Sequence, residues 1–119
     1  MSKSQRVKGR RWEQLVAADH RAIFGEGVRR GWQAREGADQ CDVEGTPFHI
    51  EASHQVLVPL RAKLRQALAD VKPGRIPVVV AKDDRSVPLV LLRYSDWLDM
   101  VREWHERGQK CAECRGTGE

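Results

Sequence analysis

The sequence predicts a single α/β domain in which a mixed β-sheet is flanked by helices. The chain has 119 residues, a length that supports one two-layer core but not two independent cores. Segments with helical spacing of apolar residues alternate with segments of strand character in the order αβββαββα. A mixed sheet packed between helices accommodates this order.

The first predicted helix covers residues 10–24, where Trp12 and Val16 fall on one side among small flanking residues. Gly25 can end this helix, because glycine commonly follows the last helical turn. A short first strand is then expected over residues 28–33, ahead of a polar loop.

The second and third strands are predicted to form a hairpin that carries two carboxylates. Gly45-Thr46-Pro47 interrupts this stretch, because glycine tolerates turn dihedrals and proline has no backbone donor. Side chains alternate along the second flank, so Glu51 and Ser53 share a face. Asp42 begins one strand and Glu51 lies inside its partner, so the two carboxylates can converge on one hard cation. Oxygen ligands suit magnesium, which also keeps the waters that phosphodiester hydrolysis requires.

The second half of the chain is predicted to add two strands between two helices. Apolar spacing indicates a helix over residues 60–71, on which Lys63 and Gln66 share one face. The apolar run 76–81 is typical of a strand buried on both sides, and residues 88–93 form the next strand.

The last helix is expected to begin near Ser95, which can cap it. Trp97 and Trp104 repeat at helical spacing along it, so packing in the core explains them as it explains Trp12. Gly108 is expected to end the globular part of the chain.

The domain is therefore predicted at residues 1–107, followed by a tail at residues 108–119. The tail contains Cys111 and Cys114 in a Cys-x-x-Cys-x-Gly-x-Gly unit, which resembles half of the zinc-binding repeat of J-domain co-chaperones. One such unit supplies two of the four ligands that zinc needs. Two tails in a dimer, or His105, can complete the site; the alternative is a reduced tail that binds no metal.

The composition favours a polyanionic partner over a membrane. The formal net charge is +4, and arginine, which dominates the cationic side chains, binds phosphate in a forked geometry. The alternative is a solvated surface without a nucleic-acid partner. No long apolar run or signal peptide is evident, and three cysteines do not suit a disulfide framework. We therefore expect a cytoplasmic protein with DNA as its partner. The candidate DNA-binding residues are Lys8, Arg10, Arg11, Arg29, Arg30, Arg35 and Arg61.

With these elements in this order, the chain resembles the PD-(D/E)XK nuclease superfamily, and within it the archaeal-type and phage-encoded Holliday junction resolvases. The resemblance covers residues 6–104 and includes a basic segment, Lys8-Gly9, that precedes a first helix bearing Glu13. It implies a restriction-endonuclease-like core. It also implies that Asp42 and Glu51 hold magnesium or manganese, with Glu13 assisting.

One position departs from the superfamily pattern. Ser53 stands two residues after Glu51, where the superfamily has a lysine that orients the attacking water and offsets developing charge. A serine hydroxyl supplies no charge, so His54, Lys63 or the metal alone has to compensate. We favour Lys63, because it shares a helical face with Gln66 and lysine is known on that helix in the superfamily. Gln66 itself matches a glutamine that often accompanies the motif.

The resemblance implies a magnesium-dependent endonuclease acting on branched DNA, either a homodimeric Holliday junction resolvase or a related nuclease of a phage or mobile element. A dimer is expected because two symmetric cuts need two sites related by a two-fold axis. A second hypothesis, motivated by Ser53, is a DNA-binding protein that keeps the fold without hydrolysis. A third is a protein-interaction module that uses a zinc site in the tail.

Overall fold

The computed structural model describes residues 3–31 and 42–118, with side chains described as far as residue 109. The elements in chain order are α1 (Lys3–Phe24), β1 (Arg29–Arg30), β2 (Val43–Glu44), β3 (Phe48–Gln55), α2 (Leu60–Asp70), β4 (Ile76–Asp83), β5 (Leu89–Leu91) and α3 (Tyr94–Gly118). The predicted order of helices and strands is confirmed. Among the described helices, none combines the length and apolar character needed to cross a membrane.

The five strands form one mixed sheet in the order β1-β2-β3-β4-β5. β3 and β4 are parallel and stay in register from Phe48 opposite Ile76 to Gln55 opposite Asp83. All other neighbouring strands are antiparallel. A parallel pair cannot be joined by a tight turn, and α2 supplies the crossover between β3 and β4. β3 and β4 are the longest strands of the sheet, and α1 and α2 pack on them.

Two apolar clusters, on opposite faces of the sheet, hold the helices in place. α1 contributes Trp12 to the larger cluster, where the indole Nε1 donates a hydrogen bond to the Val80 carbonyl at 3.1 Å. Val79 belongs to the other cluster, against Leu60 and Leu64 of α2. Because successive side chains of β4 face opposite ways, one strand anchors both helices.

α1 is longer than the sequence indicates, and the correction changes the setting of the basic segment. The helix begins at Lys3 rather than at residue 10, so Lys8-Gly9 lies inside α1 instead of preceding it. A single glycine weakens a helix interior by about 1 kcal/mol relative to alanine. An ion pair between Lys8 Nζ and Asp84 Oδ1, at 2.9 Å, helps to hold this part of the helix on the sheet.

The C-terminal helix also differs from the prediction. α3 continues through Gly108 to Gly118, so Gly108 ends neither the helix nor the ordered backbone. Trp12 is buried as expected, but Trp97 and Trp104 are 51% and 76% exposed, so the prediction of core packing is wrong for these two. Helical spacing predicts that α3 has an apolar face. It does not predict which surface, if any, covers that face.

Some predictions fall on residues that the structure does not describe. The predicted strand over residues 28–33 is observed as Arg29–Arg30, and its last two positions lie outside the described residues. Arg35 also lies outside them. The backbone at Cys111 and Cys114 belongs to α3, but their side chains lie beyond those described, so the zinc site stays a prediction.

Candidate nuclease site

The hairpin fixes the carboxylate of Asp42 beside β3. The Asp42 backbone amide donates to the Ile50 carbonyl at 2.8 Å, and the Asp42 carbonyl accepts from the Gly31 amide at 2.8 Å. On the side chain, Asp42 Oδ2 accepts a hydrogen bond from the Ala52 amide at 2.7 Å. Asp42 is therefore restrained by two backbone hydrogen bonds and by one hydrogen bond to its side chain. It is held next to the residue that follows Glu51.

The turn of the hairpin depends on Gly45 and Thr46. Gly45 has φ +92°, in the left-handed region that favours glycine, and it lies against the backbone of Gly27 and Val28. The Thr46 hydroxyl accepts from the Phe48 amide at 3.0 Å and lies 3.1 Å from the Phe48 carbonyl. This close packing sets how β2 meets β3, and with it the position of Asp42.

Glu51 is buried, and its side chain lies on the face of β3 opposite to the larger apolar cluster that contains Trp12. His49, two residues earlier on the same face, places its Nε2 3.2 Å from Glu51 Oε1 and is itself almost completely buried. The imidazole therefore fixes the rotamer of Glu51. The period of two in a strand is the sequence signal for this pairing.

Glu13 enters the site from α1 and is paired with a cation. Arg30 Nε donates to Glu13 Oε2 at 2.9 Å, between β1 and the helix. Both side chains keep some exposure to solvent, so this pair contributes at most about 1 kcal/mol to stability. Its effect is to restrain Glu13 in the cleft that the carboxylates of the hairpin also line.

These residues line one cleft of about 470 Å³ between the N-terminal half of α1, the hairpin and α2. Its walls are Gln5, Arg6, Gly9, Arg10, Glu13, Arg30, Asp42, Glu51, Ala52, Ser53, His54, Gln55, Lys63 and Gln66. Every residue that the sequence predicted as catalytic or metal-binding in the domain is among them. The cleft mixes four lysine and arginine side chains with three carboxylates, which suits an anionic substrate that needs a cation beside it.

The predicted DNA-binding residues divide between this cleft and other surfaces. Arg10 and Arg30 line the cleft, whereas Lys8 and Arg11 line an adjoining pocket of about 400 Å³. Arg29 is exposed and pairs with a glutamate of β2. Arg61 is exposed on α2, outside the described walls of the cleft.

Arg6 is a cleft residue that the prediction missed. It lies four positions before Arg10, so the two guanidinium groups extend from one face of α1. Starting the helix at residue 10 placed Arg6 outside it and hid this spacing. Continuing the helical periodicity towards the N-terminus would have found the residue.

A second polar cluster borders the cleft at His54. His54 Nε2 lies 2.9 Å from Asp84 Oδ1, which also binds Lys8. The hydrogen bond from Lys8 is the main cause that holds the pKa of Asp84 below its ordinary value. Lys63 differs from His54, since within the described part of the chain its ammonium makes no ion pair. Of the two side chains that can replace the missing lysine, Lys63 is the less engaged.

The carboxylates of the cleft offer oxygen donors, which fit a hard cation. Asp42 and Glu51 supply carboxylates, and the Ala52 carbonyl points to the same edge of β3 as the Ala52 amide that binds Asp42. Among the side chains that the structure describes, no three from histidine, cysteine, aspartate and glutamate come close enough to hold a metal by themselves. A backbone oxygen and water are therefore needed to complete a coordination shell.

Comparisons with known proteins do not identify a relative. The chain matches no model of a protein family, no curated protein and no solved structure. The general α/β architecture is established by the sheet and its helices. The restriction-endonuclease-like core and the nuclease superfamily remain expectations from the sequence, and the cleft is the basis for a functional proposal.

Proposed function

We propose that this protein is a metal-dependent endonuclease that hydrolyses phosphodiester bonds of DNA, with branched DNA such as the four-way junction as its substrate. One observation carries the proposal: six residues selected from the sequence for this chemistry line a single cleft, although they come from three separate parts of the chain. They are Glu13, Asp42, Glu51, Ser53, Lys63 and Gln66. Arginine side chains in the same cleft can hold the phosphate backbone.

Asp42 and Glu51 would hold a magnesium or manganese ion, with the Ala52 carbonyl as a further oxygen and Glu13 assisting. A bound divalent ion supplies positive charge at the scissile phosphate and a water of lowered pKa. The hydrogen bonds from Ala52 and His49 keep the two carboxylates in fixed positions before any ion arrives. Preorganisation of this kind limits the rearrangement needed during reaction.

Lys63 supplies the charge that Ser53 does not. Lys63 and Gln66 extend from α2 into the cleft, across from Ser53 on β3. An ammonium group there can orient the attacking water and stabilise the negative charge that develops on the phosphate oxygens. Gln66, one turn further along, can hold the same water or a phosphate oxygen.

Replacing Lys63 by alanine is expected to lower the single-turnover cleavage rate by about 100-fold, because one stabilising group is removed from the transition state. Introducing Ser53→Lys into that variant is expected to restore most of the loss, since both positions face the same cleft. Arg65→Ala is the matched control, because Arg65 is an exposed cation of α2 outside the described walls. An unchanged rate in Lys63→Ala would exclude Lys63 as the replacement and leave His54 or the metal alone.

In the proposed complex the phosphate backbone would pass closest to α1 at Gly9. A Cβ at Gly9 meets no atom within 4 Å, so packing inside the chain does not require a glycine there. The space in front of it is the cleft, flanked by Arg6 and Arg10. A helical glycine that weakens α1 and packs on nothing is explained by a substrate that approaches the backbone.

Gly9→Ala is expected to raise the free energy of unfolding by up to about 1 kcal/mol, while weakening DNA binding several-fold. Gly9→Leu is expected to keep the gain in stability and to weaken binding by about 100-fold. Chemical denaturation and fluorescence anisotropy with a labelled junction measure the two quantities. Equal affinities across the series would show that the DNA backbone does not pass close to Gly9.

A catalytically impaired DNA-binding protein is the second candidate, favoured by Ser53 at the lysine position. Incubating the protein with a labelled four-way junction and the matching linear duplex distinguishes the two candidate functions. Reactions contain magnesium, manganese or chelator. Metal-dependent paired nicks in the junction alone support a resolvase, and cleavage of both DNAs supports a less selective nuclease. Binding without cleavage supports the second candidate, with affinity that falls steeply as salt rises.

A further inference from the structure

α3 carries an apolar stripe that the rest of the described chain leaves uncovered. The stripe consists of Tyr94, Trp97, Val101 and Trp104, which are separated by three and four residues and so lie along one side of the helix. Tyr94, Trp97 and Trp104 are 73%, 51% and 76% exposed. Large aromatic side chains are normally buried for most of their surface, so this arrangement needs a physical reason.

The stripe is large enough to mark an interface. Its three aromatic side chains together expose about 300–500 Å², which is comparable to the largest apolar patch of a typical monomer. It also continues beyond the helix, because Trp97 and Val90 line the same apolar groove of about 350 Å³ beside the sheet. Val90 is itself mostly exposed on β5, at the edge of the sheet.

We propose that the α3 stripe binds the same stripe of a second copy of this chain across a two-fold axis. Spacings of three and four residues are those with which two helices pack side by side, and a two-fold axis brings the same patch of both copies together. Two copies would bury about 600–1,000 Å² from these aromatic residues alone. With the groove walls added, the total approaches the lower end of the range of specific protein interfaces.

The charges on α3 are compatible with such self-association. Arg93 Nε binds Asp96 Oδ2 at 2.8 Å, and Arg102 Nη1 binds Asp99 Oδ1 at 2.8 Å. Each of these two pairs is neutralised within its own copy, so neither pair opposes the approach of a second copy. This inference rests on α3 and the groove, and it stands whether or not the cleft hydrolyses DNA.

Sedimentation equilibrium over a wide range of protein concentration tests the inference. The unaltered protein is expected to form a dimer, and Trp104→Gln to raise the dimer dissociation constant by about 30-fold or more, as for a central aromatic residue of an interface. Circular dichroism checks that the variant stays folded, which is expected because Trp104 is mostly exposed. Leu57→Gln is the control: Leu57 is 75% exposed but lies in the loop before α2.

Two results would overturn the inference. One is a protein that stays monomeric at the highest concentration reached, which means that another molecule covers the stripe. The other is a dimer whose dissociation constant is the same in Trp104→Gln and in the unaltered protein, which places the interface elsewhere. Because the readout is mass, the outcome is independent of the cleavage assay.

Discussion

Replacing Glu51 by glutamine, or Asp42 by asparagine, is expected to reduce DNA cleavage by at least about 10³-fold. Both changes keep the shape of the side chain and remove the negative charge that a divalent cation needs. Glu51→Gln can still bind His49, and Asp42→Asn can still accept from the Ala52 amide, so neither change should disturb the hairpin. Single-turnover cleavage of a labelled four-way junction in magnesium measures the effect.

DNA binding is not expected to fall when cleavage falls. In chelator, removing a carboxylate from a cleft that also holds Arg10 and Lys63 is expected to leave junction affinity equal or slightly higher, because repulsion of phosphate is reduced. Asp19→Asn is the matched control, since Asp19 is exposed on α1 outside the described walls. If Glu51→Gln cleaves DNA at nearly the rate of the unaltered protein, the carboxylate of Glu51 has no role in catalysis.

The second large effect is expected at Gly45, where alanine should lower the free energy of unfolding by about 3 kcal/mol or more. The glycine has φ +92°, which disfavours any side chain. A Cβ there would also lie 2.8 Å from the Gly27 carbonyl carbon, nearer still to its oxygen, and 3.0 Å from the Val28 Cα. These are backbone atoms, so the hairpin has to move. Urea denaturation measures the loss.

Gly74→Ala separates the two contributions at Gly45. Gly74 has φ +88°, but a Cβ there meets nothing within 4 Å. Its substitution should therefore lose only the left-handed backbone preference, about 1–2 kcal/mol. Equal losses at Gly45 and Gly74 would show that the approach to Gly27 carries no weight. A larger loss at Gly45, with weaker cleavage in the folded fraction, would show that this contact sets the position of Asp42.

Local signals explain why much of the sheet and part of the site were predictable. Alternation along β3 placed Glu51 and Ser53 on one face, and helical spacing placed Lys63 and Gln66 together. Pairing of the hairpin followed from the residues of its turn. Each of these relations connects residues that are near in sequence, so dihedral preferences and periodicity are sufficient to predict them.

The remaining features depend on contacts between distant parts of the chain. Asp84, in the turn after β4, forms an ion pair with Lys8 that helps to hold the start of α1. No spacing in the sequence predicts this ion pair. The exposure of Trp104 was missed for a related reason. Periodicity defines an apolar face, but what covers that face is decided by tertiary or quaternary structure.

The described walls of the cleft all lie between residues 5 and 66, before β4 begins. β4 pairs with β3 in the sheet, and α3 contributes no described wall residue to the cleft. The residues proposed for catalysis and the α3 stripe proposed for self-association thus occupy separate stretches of one small chain. If two copies join through α3, substitutions in that helix can change the distance and angle between the two clefts without altering either one. Selection, or a designer, could then adapt the pair to DNA branches of different shape while the cutting centre stays the same.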